Sequence, residues 1–325
     1  MQTLVCDIQA LHVPLAGSDP KELAHAVLVW LLSAHTIAQG MGLFTTGHRC
    51  NHSCSPNVVF QTTDDDLTNG LVFRALRPLE SGEMLSVSYL LGPELMSPGF
   101  VRRELLAKRK CFECACTRCA EPQSESEATE AQMLCQRPEL VAAALAGTLQ
   151  VSTLDRSTWA GHWIFASALW AEAIRRLRAG VEETNVHLMH SSIPLLEEYF
   201  AWISSRHSIE FHFTSSQAVD LYACISATGD EDVSVVVARL CAPYMRSLEY
   251  EYGLGDAQNM QMRAWLLSRC GQCGKPAKSR CARCKEASYC GQQCQKVAWK
   301  RHKGACVAQV AVAATTAAAK PQIIK

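Results

Sequence analysis

Twelve of the 17 cysteines in this chain lie in clusters or motifs whose residue types suit metal binding. In the densest cluster, residues 270–306, the candidate ligands come as CxxC, CxxC, CxxxC and HxxxC. Each pair can place two ligands on one tetrahedral zinc ion, so eight ligands predict two closed sites. A segment this short has no core of its own, and we expect zinc binding to supply its folding free energy. The eight ligands are Cys270, Cys273, Cys281, Cys284, Cys290, Cys294, His302 and Cys306.

A second cluster, CFECACTRC at residues 111–119, contains the pattern CxCxxC. Its thiolates at Cys114, Cys116 and Cys119 are one short of a closed zinc site. The fourth ligand must come from elsewhere in the chain. Candidates are Cys111, one turn away, or a distant residue such as Cys54.

The stretch RCNHSCSPN, residues 49–57, contains Cys54 and His52 and admits several kinds of chemistry. Together the two side chains suggest a thiol nucleophile with its base. We disfavour that hypothesis because no acidic residue orients the pair and because a role as a zinc ligand explains Cys54 better. His52 by itself fits a hydrogen-bonded core histidine or a zinc ligand.

The composition limits the classes of protein to which the chain can belong. It has 325 residues, 48% hydrophobic and 19% charged, with a formal net charge of zero. This predicts a globular protein with no global field that recruits nucleic acid. The longest apolar run near the N-terminus is too short to span a bilayer, and no signal peptide is evident. We therefore expect an intracellular protein, cytoplasmic or nuclear or both, with no membrane partner and with reduced cysteines.

The elements that must position these residues fall into a β-rich region followed by helices. Residues 18–32 predict a helix capped by Asp19. Residues 42–91 contain short β-branched and aromatic segments separated by turns, which predict a small β domain. Residues 100–109 predict a helix, residues 121–130 an acidic linker, and residues 131–267 a helical region. The predicted fold class is α+β.

Residues 270–306 resemble a MYND zinc finger. The resemblance includes Tyr289 before Cys290, Gln295 after Cys294, and Trp299 ahead of His302. It implies that the ligand pairs interleave. Cys270, Cys273, Cys290 and Cys294 would then hold one zinc ion, and Cys281, Cys284, His302 and Cys306 the other. It also implies a partner, either a protein or a proline-rich peptide.

The finger is strongly basic, with nine lysines and arginines against one acid, Glu286. With seven thiolates and two zinc ions it still carries a charge of about +5. Such a surface can attract an acidic partner or nucleic acid, or it can keep the finger solvated. We favour solvation and regard nucleic acid as an unlikely partner, because no interleaved aromatic residues suggest base stacking.

The motifs NHSCSPN, GEMLSVSYL and RRELLAKRKCFECACTRC resemble the SET core and post-SET region of protein-lysine methyltransferases. Their order and spacing, together with the finger, are similar to those of the SET–MYND (SMYD-like) family. The resemblance implies a small β-rich SET core with a post-SET zinc cluster, an all-α tetratricopeptide-like domain and a MYND finger. It also implies that Cys54 completes a third zinc site with Cys114, Cys116 and Cys119.

The resemblance further implies an S-adenosylmethionine-dependent protein-lysine N-methyltransferase, with histone or non-histone substrates. By resemblance, Asn51 and His52 contact the cofactor and Phe112 packs on its adenine. Tyr89 supplies a hydroxyl beside the transferring methyl group and is the predicted catalytic residue. A neutral lysine amine attacks the methyl carbon in line and displaces the thioether sulfur of the cofactor, so alignment provides most of the catalysis.

The chain also departs from the family's pattern. Nothing before Gly40 resembles the family's N-terminal strand pair with its GxG-type loop, and the finger follows the SET region instead of interrupting it. Lys110 stands where a second channel tyrosine is usual. An alternative hypothesis is therefore a non-catalytic scaffold that acts through the finger and the helices.

The predicted domains cover the whole chain. They are a partial SET domain with its cysteine cluster at residues 1–119, a helical domain at 120–268, a MYND finger at 269–306 and a low-complexity tail at 307–325.

Overall fold

In the computed structural model, the chain forms two compact units. The first contains residues 1–91 and 99–122, and the second contains residues 92–98 and 123–325. The finer division into four domains stays a prediction. The structure describes residues 47–65, 68–90, 92–121, 124–205, 221–226, 229–242 and 257–306, the stretches 35–37 and 40–42, and positions 19, 21, 27 and 28.

Among the described residues of the first unit, six short strands form three pairs. Strands β1 and β2 pair antiparallel, as do β4 and β5, and β3 pairs with β6 in parallel. The hairpin of β4 and β5 follows the predicted β-branched segments, with Val58 and Val59 buried. The strands are β1 (His35–Ile37), β2 (Gly40–Gly42), β3 (Asn51–His52), β4 (Val58–Asp65), β5 (Thr68–Ala75) and β6 (Ser86–Val87).

The parallel pair β3–β6 joins two motifs that lie more than 30 residues apart. Asn51 is opposite Ser86 and His52 is opposite Val87. The buried side chain of Asn57 extends this contact, because its Oδ1 accepts the Ser86 backbone N–H at 2.8 Å. Its Nδ2 donates to the backbone carbonyl of Met84 at 3.0 Å.

Two helices complete the first unit after the strands. The predicted helix at residues 100–109 is present as α2 (Gly99–Lys110), and its buried face includes Val101, Arg102 and Leu106. The short helix α3 (Thr117–Ala120) follows within the cysteine cluster. The chain therefore brings a buried guanidinium next to the segment that carries the clustered thiols.

The second unit is helical, as the 3.6-residue periodicity predicts. Its central helix α7 contacts α5, α8 and α9 and buries Trp163, Phe165 and Leu169. Residues 221–226 are also helical. The helices are α1 (Gly92–Met96), α4 (Glu125–Cys135), α5 (Pro138–Leu145), α6 (Arg156–Trp159), α7 (Trp163–Glu182), α8 (Val186–His190), α9 (Ile193–Ser204), α10 (Glu231–Cys241) and α11 (Ala257–Leu267).

The acidic segment predicted to be a linker, residues 121–130, is partly helical instead. Ser124 caps α4 in a capping box, in which its hydroxyl accepts the Glu127 N–H and the Glu127 carboxylate accepts the Ser124 N–H. Glu130 is buried, and its carboxylate accepts the Ile164 N–H at the start of α7. The Ser-x-x-Glu spacing is a helix-start signal that the linker interpretation overlooked.

The last part of the second unit contains a two-stranded ribbon and one helix. Strand β7 (Ser279–Arg280) pairs antiparallel with β8 (Ser288–Tyr289), and helix α12 (Gln292–Ala305) follows. The predicted low-complexity tail, residues 307–325, lies outside the described residues.

The predicted N-terminal helix, residues 18–32, lies largely outside the described residues too. Within it, the Asp19 carboxylate accepts the Lys21 backbone N–H at 3.1 Å, as a capping residue does. In the part of the chain that the structure describes, no helix combines the length and apolar character needed to cross a membrane.

Candidate metal centres and cofactor site

Four cysteines of the first unit converge on one point and form what we call the four-cysteine centre. Cys54, Cys114, Cys116 and Cys119 have sulfur atoms within 4.8 Å of one another. The Sγ of Cys54 is 3.6 Å from that of Cys119 and 4.0 Å from that of Cys114. Four converging thiolates are the ligand set of a closed zinc site.

Cys111, the other candidate for the fourth ligand, lies outside this group. Its side chain is exposed, and its φ of 58° is in the left-handed region that side chains rarely adopt. The backbone turns sharply at this point, between the end of α2 and the CxCxxC pattern. The structure thus brings the distant Cys54, and not the neighbouring Cys111, to the other three sulfur atoms.

Two arginines supply positive charge and hydrogen bonds around the four-cysteine centre. The Nη2 of the buried Arg102 lies 3.8 Å from the Sγ of Cys119. Arg118 donates from Nη1 to the backbone carbonyl of Cys54 at 3.1 Å. When Cys54 is protonated, its hydrogen bond and the charge of Arg102 lower the pKa of Cys119, which favours the thiolate form that binds a cation.

The finger contains two further groups, which interleave along the chain. The first finger centre has Cys273 Sγ at 3.6 Å from Cys290 Sγ. In the second, the Nε2 of His302 lies 3.4 Å from Cys281 Sγ and 3.5 Å from Cys284 Sγ. The first comprises Cys270, Cys273, Cys290 and Cys294, and the second Cys281, Cys284, His302 and Cys306.

The finger packs closely against the helices of its own unit. Gly274 has a φ of 77°, and a Cβ at this position would lie 1.8 Å from the Val235 carbonyl oxygen of α10. Arg263 of α11 forms an ion pair with Glu286 at 2.7 Å. The guanidinium of Arg269 donates two hydrogen bonds to the carboxylate of Glu231, at 2.6 and 3.1 Å.

The helix of the finger also presents apolar groups to solvent. On α12, Val297 is 54% exposed and Trp299 is 43% exposed. Lysine and arginine side chains flank them on the same helix, and helix α12 contains no acidic residue. Exposed apolar groups on a charged helix are a feature of interaction surfaces.

The predicted cofactor residues also lie together in the first unit. The rings of His52 and Tyr89 have centroids 5.3 Å apart, and Phe112 is 5.9 Å from His52 and 6.2 Å from Tyr89. Asn51, beside His52, is exposed, and its Nδ2 lies 3.4 Å from the Met84 sulfur. The parallel pairing of β3 with β6 accounts for the approach of His52 to the segment that carries Tyr89.

Tyr89 is held through both its backbone and its hydroxyl group. Its backbone N–H donates to Nδ1 of His52 at 2.9 Å, and its hydroxyl donates to the carbonyl of Cys50 at 2.5 Å. Burial raises the pKa of Tyr89 and lowers that of His52 to about 4. Both side chains are therefore neutral near pH 7. The hydroxyl oxygen of Tyr89 and the carbonyl oxygen of Cys50 lie together beside the three rings of His52, Tyr89 and Phe112, which we call the ring cluster.

Lys110, at the end of α2, places a cation over this cluster. Its Nζ lies 5.5 Å from the centroid of the Tyr89 ring. Burial lowers the pKa of the Lys110 ammonium group. A positive charge here attracts the face of the ring and opposes a second cation nearby.

Three contributors to the site had no role in the interpretation of the sequence. These are the Asn57 amide that holds β6, the buried guanidinium of Arg102, and the backbone carbonyl of Cys50. The SPN sequence around Asn57 was a usable signal, because an asparagine after proline often organises a turn. A carbonyl leaves no signal in the sequence.

The second unit contains a cavity of about 610 Å³ that the sequence did not predict. One face of α7 forms its floor, and residues of α5 and α9 form its walls. Trp170, Tyr199 and Trp202 line it together with Arg175 and Arg178. Its lining includes no residue of the metal centres or of the ring cluster.

Comparison with known families gives matches to two segments of the chain. Residues 22–90 match the SET domain and residues 270–306 match the MYND finger. The first match contains Asn51, His52, Cys54 and Tyr89, and the second contains both finger centres. The chain therefore contains a segment similar to the SET domain, followed by a segment similar to the MYND finger.

Individual relatives cover parts of the chain. "Histone-lysine N-methyltransferase SMYD3" of Mus musculus is 39% identical over 84 residues, which are 25% of this chain and 17% of that protein. "Protein-lysine N-trimethyltransferase SMYD5" of Gallus gallus is 30% identical over 91 residues, 28% of this chain and 21% of the relative. "SET domain and MYND-type zinc finger protein 6" of Schizosaccharomyces pombe is 24% identical over 221 residues, 66% of this chain and 39% of the relative.

These matched segments span between 17% and 39% of the relatives' lengths. Taken with the two family matches, they support a protein of the SET–MYND family. The helical and small-sheet architecture with a C-terminal finger agrees with the predicted α+β class.

Proposed function

We propose that this chain is an S-adenosylmethionine-dependent protein-lysine N-methyltransferase. The observation that carries the proposal is the parallel pairing of β3 with β6, which sets Asn51 and His52 beside Tyr89. Phe112 adds a third ring to the cluster. Family membership and relatives named as methyltransferases support the same activity.

The residues present fit an adenosyl cofactor in their chemistry. An exposed amide at Asn51 and a half-buried ring at Phe112 offer a hydrogen-bonding group and a stacking face. We propose that these two residues hold the cofactor, with the backbone beside His52. When bound, S-adenosylmethionine supplies a methyl group on a sulfonium centre.

The protein's contribution to such a transfer is orientation. The hydroxyl of Tyr89 and the carbonyl of Cys50 lie 2.5 Å apart and form a pair of oxygen atoms beside the ring cluster. Oxygen dipoles fixed in this way can align a neutral lysine amine and stabilise the positive charge that the product retains. The amine must lose its proton before the transfer, and we propose that water accepts it.

Calorimetry on the zinc-loaded chain tests the proposal directly. We expect binding of S-adenosylmethionine, and methylation of a lysine-bearing protein substrate that Tyr89→Phe reduces at least tenfold. Tyr222→Phe, which changes a tyrosine of the second unit, is the matched control and leaves methylation intact. No binding at high micromolar cofactor rules out the enzyme hypothesis for this chain.

The position of Lys110 gives a second test that depends on charge. S-Adenosylmethionine carries a positive sulfur, whereas S-adenosylhomocysteine is its neutral thioether counterpart. Because the Lys110 ammonium group lies over Tyr89, Lys110→Met should strengthen binding of the charged ligand. Binding of the neutral ligand should stay the same, and an equal change in both ligands contradicts an electrostatic role.

We propose zinc as the metal of all three centres. Two of the donor sets consist of four cysteines and the third of three cysteines with one histidine, and all are typical of structural zinc. Elemental analysis of the purified chain should give three zinc ions per molecule. A value of two would exclude metal at one centre.

A scaffold without catalysis is the second candidate function, and the exposed surface of α12 favours it. Trp299 is an exposed aromatic residue on the finger, and we propose that a protein or a proline-rich peptide binds to it. Trp299→Ala should abolish binding of a proline-rich peptide. Val186→Ala, which removes an apolar side chain 46% exposed on α8, should not change it.

We propose histone or non-histone proteins as substrates, and the cytoplasm, the nucleus or both as the location. Fractionation of cells that express the tagged chain tests the location. Methylation assays on histones and on total protein extracts distinguish the two classes of substrate.

A further inference from the structure

The imidazole of His52 lies between the four-cysteine centre and the segment that carries Tyr89. Its Nδ1 accepts the Tyr89 backbone N–H at 2.9 Å. An accepting Nδ1 places the proton of the neutral ring on Nε2. That nitrogen lies 3.2 Å from the Sγ of Cys54. Both ring nitrogens of His52 therefore have partners within the protein.

We propose that His52 is a positioning residue that couples the metal ligand Cys54 to the backbone of Tyr89. Its Nε2–H donates to the thiolate of Cys54 and fixes the direction in which this ligand points. Its Nδ1 holds the amide of Tyr89. Side chains that hydrogen-bond to metal ligands commonly orient them and adjust their basicity.

The four-cysteine centre itself supports a hydrogen-bonding role for His52 over a ligand role. Cys54, Cys114, Cys116 and Cys119 already provide four mutually close sulfur atoms, the full number for a structural zinc site. A fifth protein ligand has no place in such a site. His52 can act on it only through one of the four sulfurs.

Other donors around the centre show that its sulfurs are embedded in a polar shell. The backbone N–H of Cys54 donates to the Sγ of Cys116 at 3.4 Å, and Arg102 reaches the Sγ of Cys119. A zinc ion with four thiolates carries a formal charge of about −2, which such donors stabilise. Of these donors, His52 also holds the backbone of Tyr89, which lies outside the centre.

The coupling concerns the metal centre and Tyr89 and does not require methyl transfer. It therefore stands or fails separately from the proposed function. If the proposal holds, loss of the hydrogen bond at Cys54 accelerates the release of the metal. Loss of the hydrogen bond at Tyr89 accelerates hydrogen exchange at the end of β6.

Two substitutions in the full zinc-loaded chain separate the two hydrogen bonds. His52→Asn keeps an acceptor oxygen near the position of Nδ1 but has no donor that reaches Cys54. His52→Gln can place an amide N–H near the position of Nε2 but loses the acceptor for Tyr89. His190→Asn, which changes a histidine of the second unit, is the matched control.

Two readouts report on the two bonds. For His52→Asn we expect one zinc ion to transfer to a chromogenic chelator about tenfold faster, with hydrogen exchange at the Tyr89 amide unchanged. For His52→Gln we expect slow zinc transfer and faster exchange at Tyr89. His190→Asn should change neither readout.

The same measurements can overturn the proposal. Loss of one zinc ion from both His52 variants would make His52 a ligand. Equal changes of both readouts in both variants, or no change in either, would leave His52 with only a packing role.

A measurement on the unsubstituted protein covers the case in which the variants do not fold. Long-range proton–nitrogen NMR spectra of the histidine rings distinguish the two neutral tautomers. The proposal requires the proton of His52 on Nε2. A proton on Nδ1 overturns it, since the ring could not then accept the Tyr89 amide.

Discussion

The metal centres of the two units differ in how far apart their ligands lie along the chain. Both finger centres take all their ligands from residues 270–306, whereas the four-cysteine centre joins Cys54 to ligands at residues 114–119. A metal in the finger therefore closes short loops and organises a local segment. A metal in the four-cysteine centre closes a long loop and fixes two parts of a β-rich unit that meet through tertiary structure.

This difference predicts different consequences of losing one ligand. A finger without metal has little apolar core, since cysteines and Tyr289 make up most of its buried cluster. The four-cysteine centre lies in a unit that also has the β4–β5 hairpin and the buried face of α2.

The largest effect is expected from removal of a finger ligand. Cys281→Ser should unfold the finger, because structural zinc contributes about 10–16 kcal/mol of apparent folding free energy in such modules. Zinc content should fall from three ions to two or fewer, and limited proteolysis should cut within residues 270–306. Cys135→Ser, which changes an exposed cysteine outside every centre, is the control. A finger that resists proteolysis after this substitution contradicts the idea that zinc provides its stability.

A smaller and more local effect is expected from removal of Cys54. Cys54→Ser should lower the zinc content by one and accelerate hydrogen exchange in β3 and β6, while the helices of the second unit keep their protection. Cys111→Ser tests the alternative fourth ligand and should keep all three ions, since Cys111 is exposed and outside the group. The reverse result for these two variants would assign the ligand role to Cys111.

An effect of intermediate size is expected from a change at the contact of the finger with α10. Gly274→Ala combines an unfavourable φ of 77° with a clash against the Val235 carbonyl, and we expect it to lower the free energy of unfolding by about 1–3 kcal/mol or more. Thermal unfolding of the zinc-loaded protein measures this.

Two other glycines separate the causes of the Gly274 effect. Gly147→Ala has a φ of 66° and open space around its Cβ, so it reports the backbone cost alone, about 1–2 kcal/mol. Gly291→Ala meets neither obstacle and should change little. If Gly274→Ala is no worse than Gly147→Ala, the close approach to α10 does not hold the finger in place.

The smallest effect is expected at the ion pair between Arg263 and Glu286. Glu286→Gln removes the only acidic charge of the finger while keeping its shape, and a partly exposed pair contributes about 0.2–1 kcal/mol. The loss should shrink as salt is added. Glu104→Gln, at an exposed pair on α2, is the control. A loss above about 2 kcal/mol would mean that this pair dominates the attachment of the finger.

The separation of the ligands along the chain also explains which of them could be predicted from the sequence. The finger's eight candidate ligands followed from local spacing alone, because each pair is separated by two or three residues. For the other centre, spacing left Cys111 and Cys54 both open, and only the resemblance favoured Cys54. The turn at Cys111, with its positive φ, is what removes that side chain from the group.

Other features could not be predicted because they depend on groups that meet only in the folded chain. The helices were predictable from their periodicity, but burial of Glu130 against the start of α7 is a tertiary contact. The pairing of Tyr89 with the Cys50 carbonyl involves a backbone atom, which any residue type would supply. Even so, the start of α4 had a local signal in Ser124 and Glu127 that the linker interpretation missed.

The packing of Gly274 against Val235 has a consequence for the helices as well as for the finger. Arrays of packed helices need a covering at each end, because the last helix has no neighbour on one side. Cys270 follows α11 within three residues, so here the finger with its candidate metal centres serves as the covering at that end of the array. We expect the supply of zinc to determine how much of the helical array stays folded. Zinc would then stabilise the neighbouring helices as well as the finger.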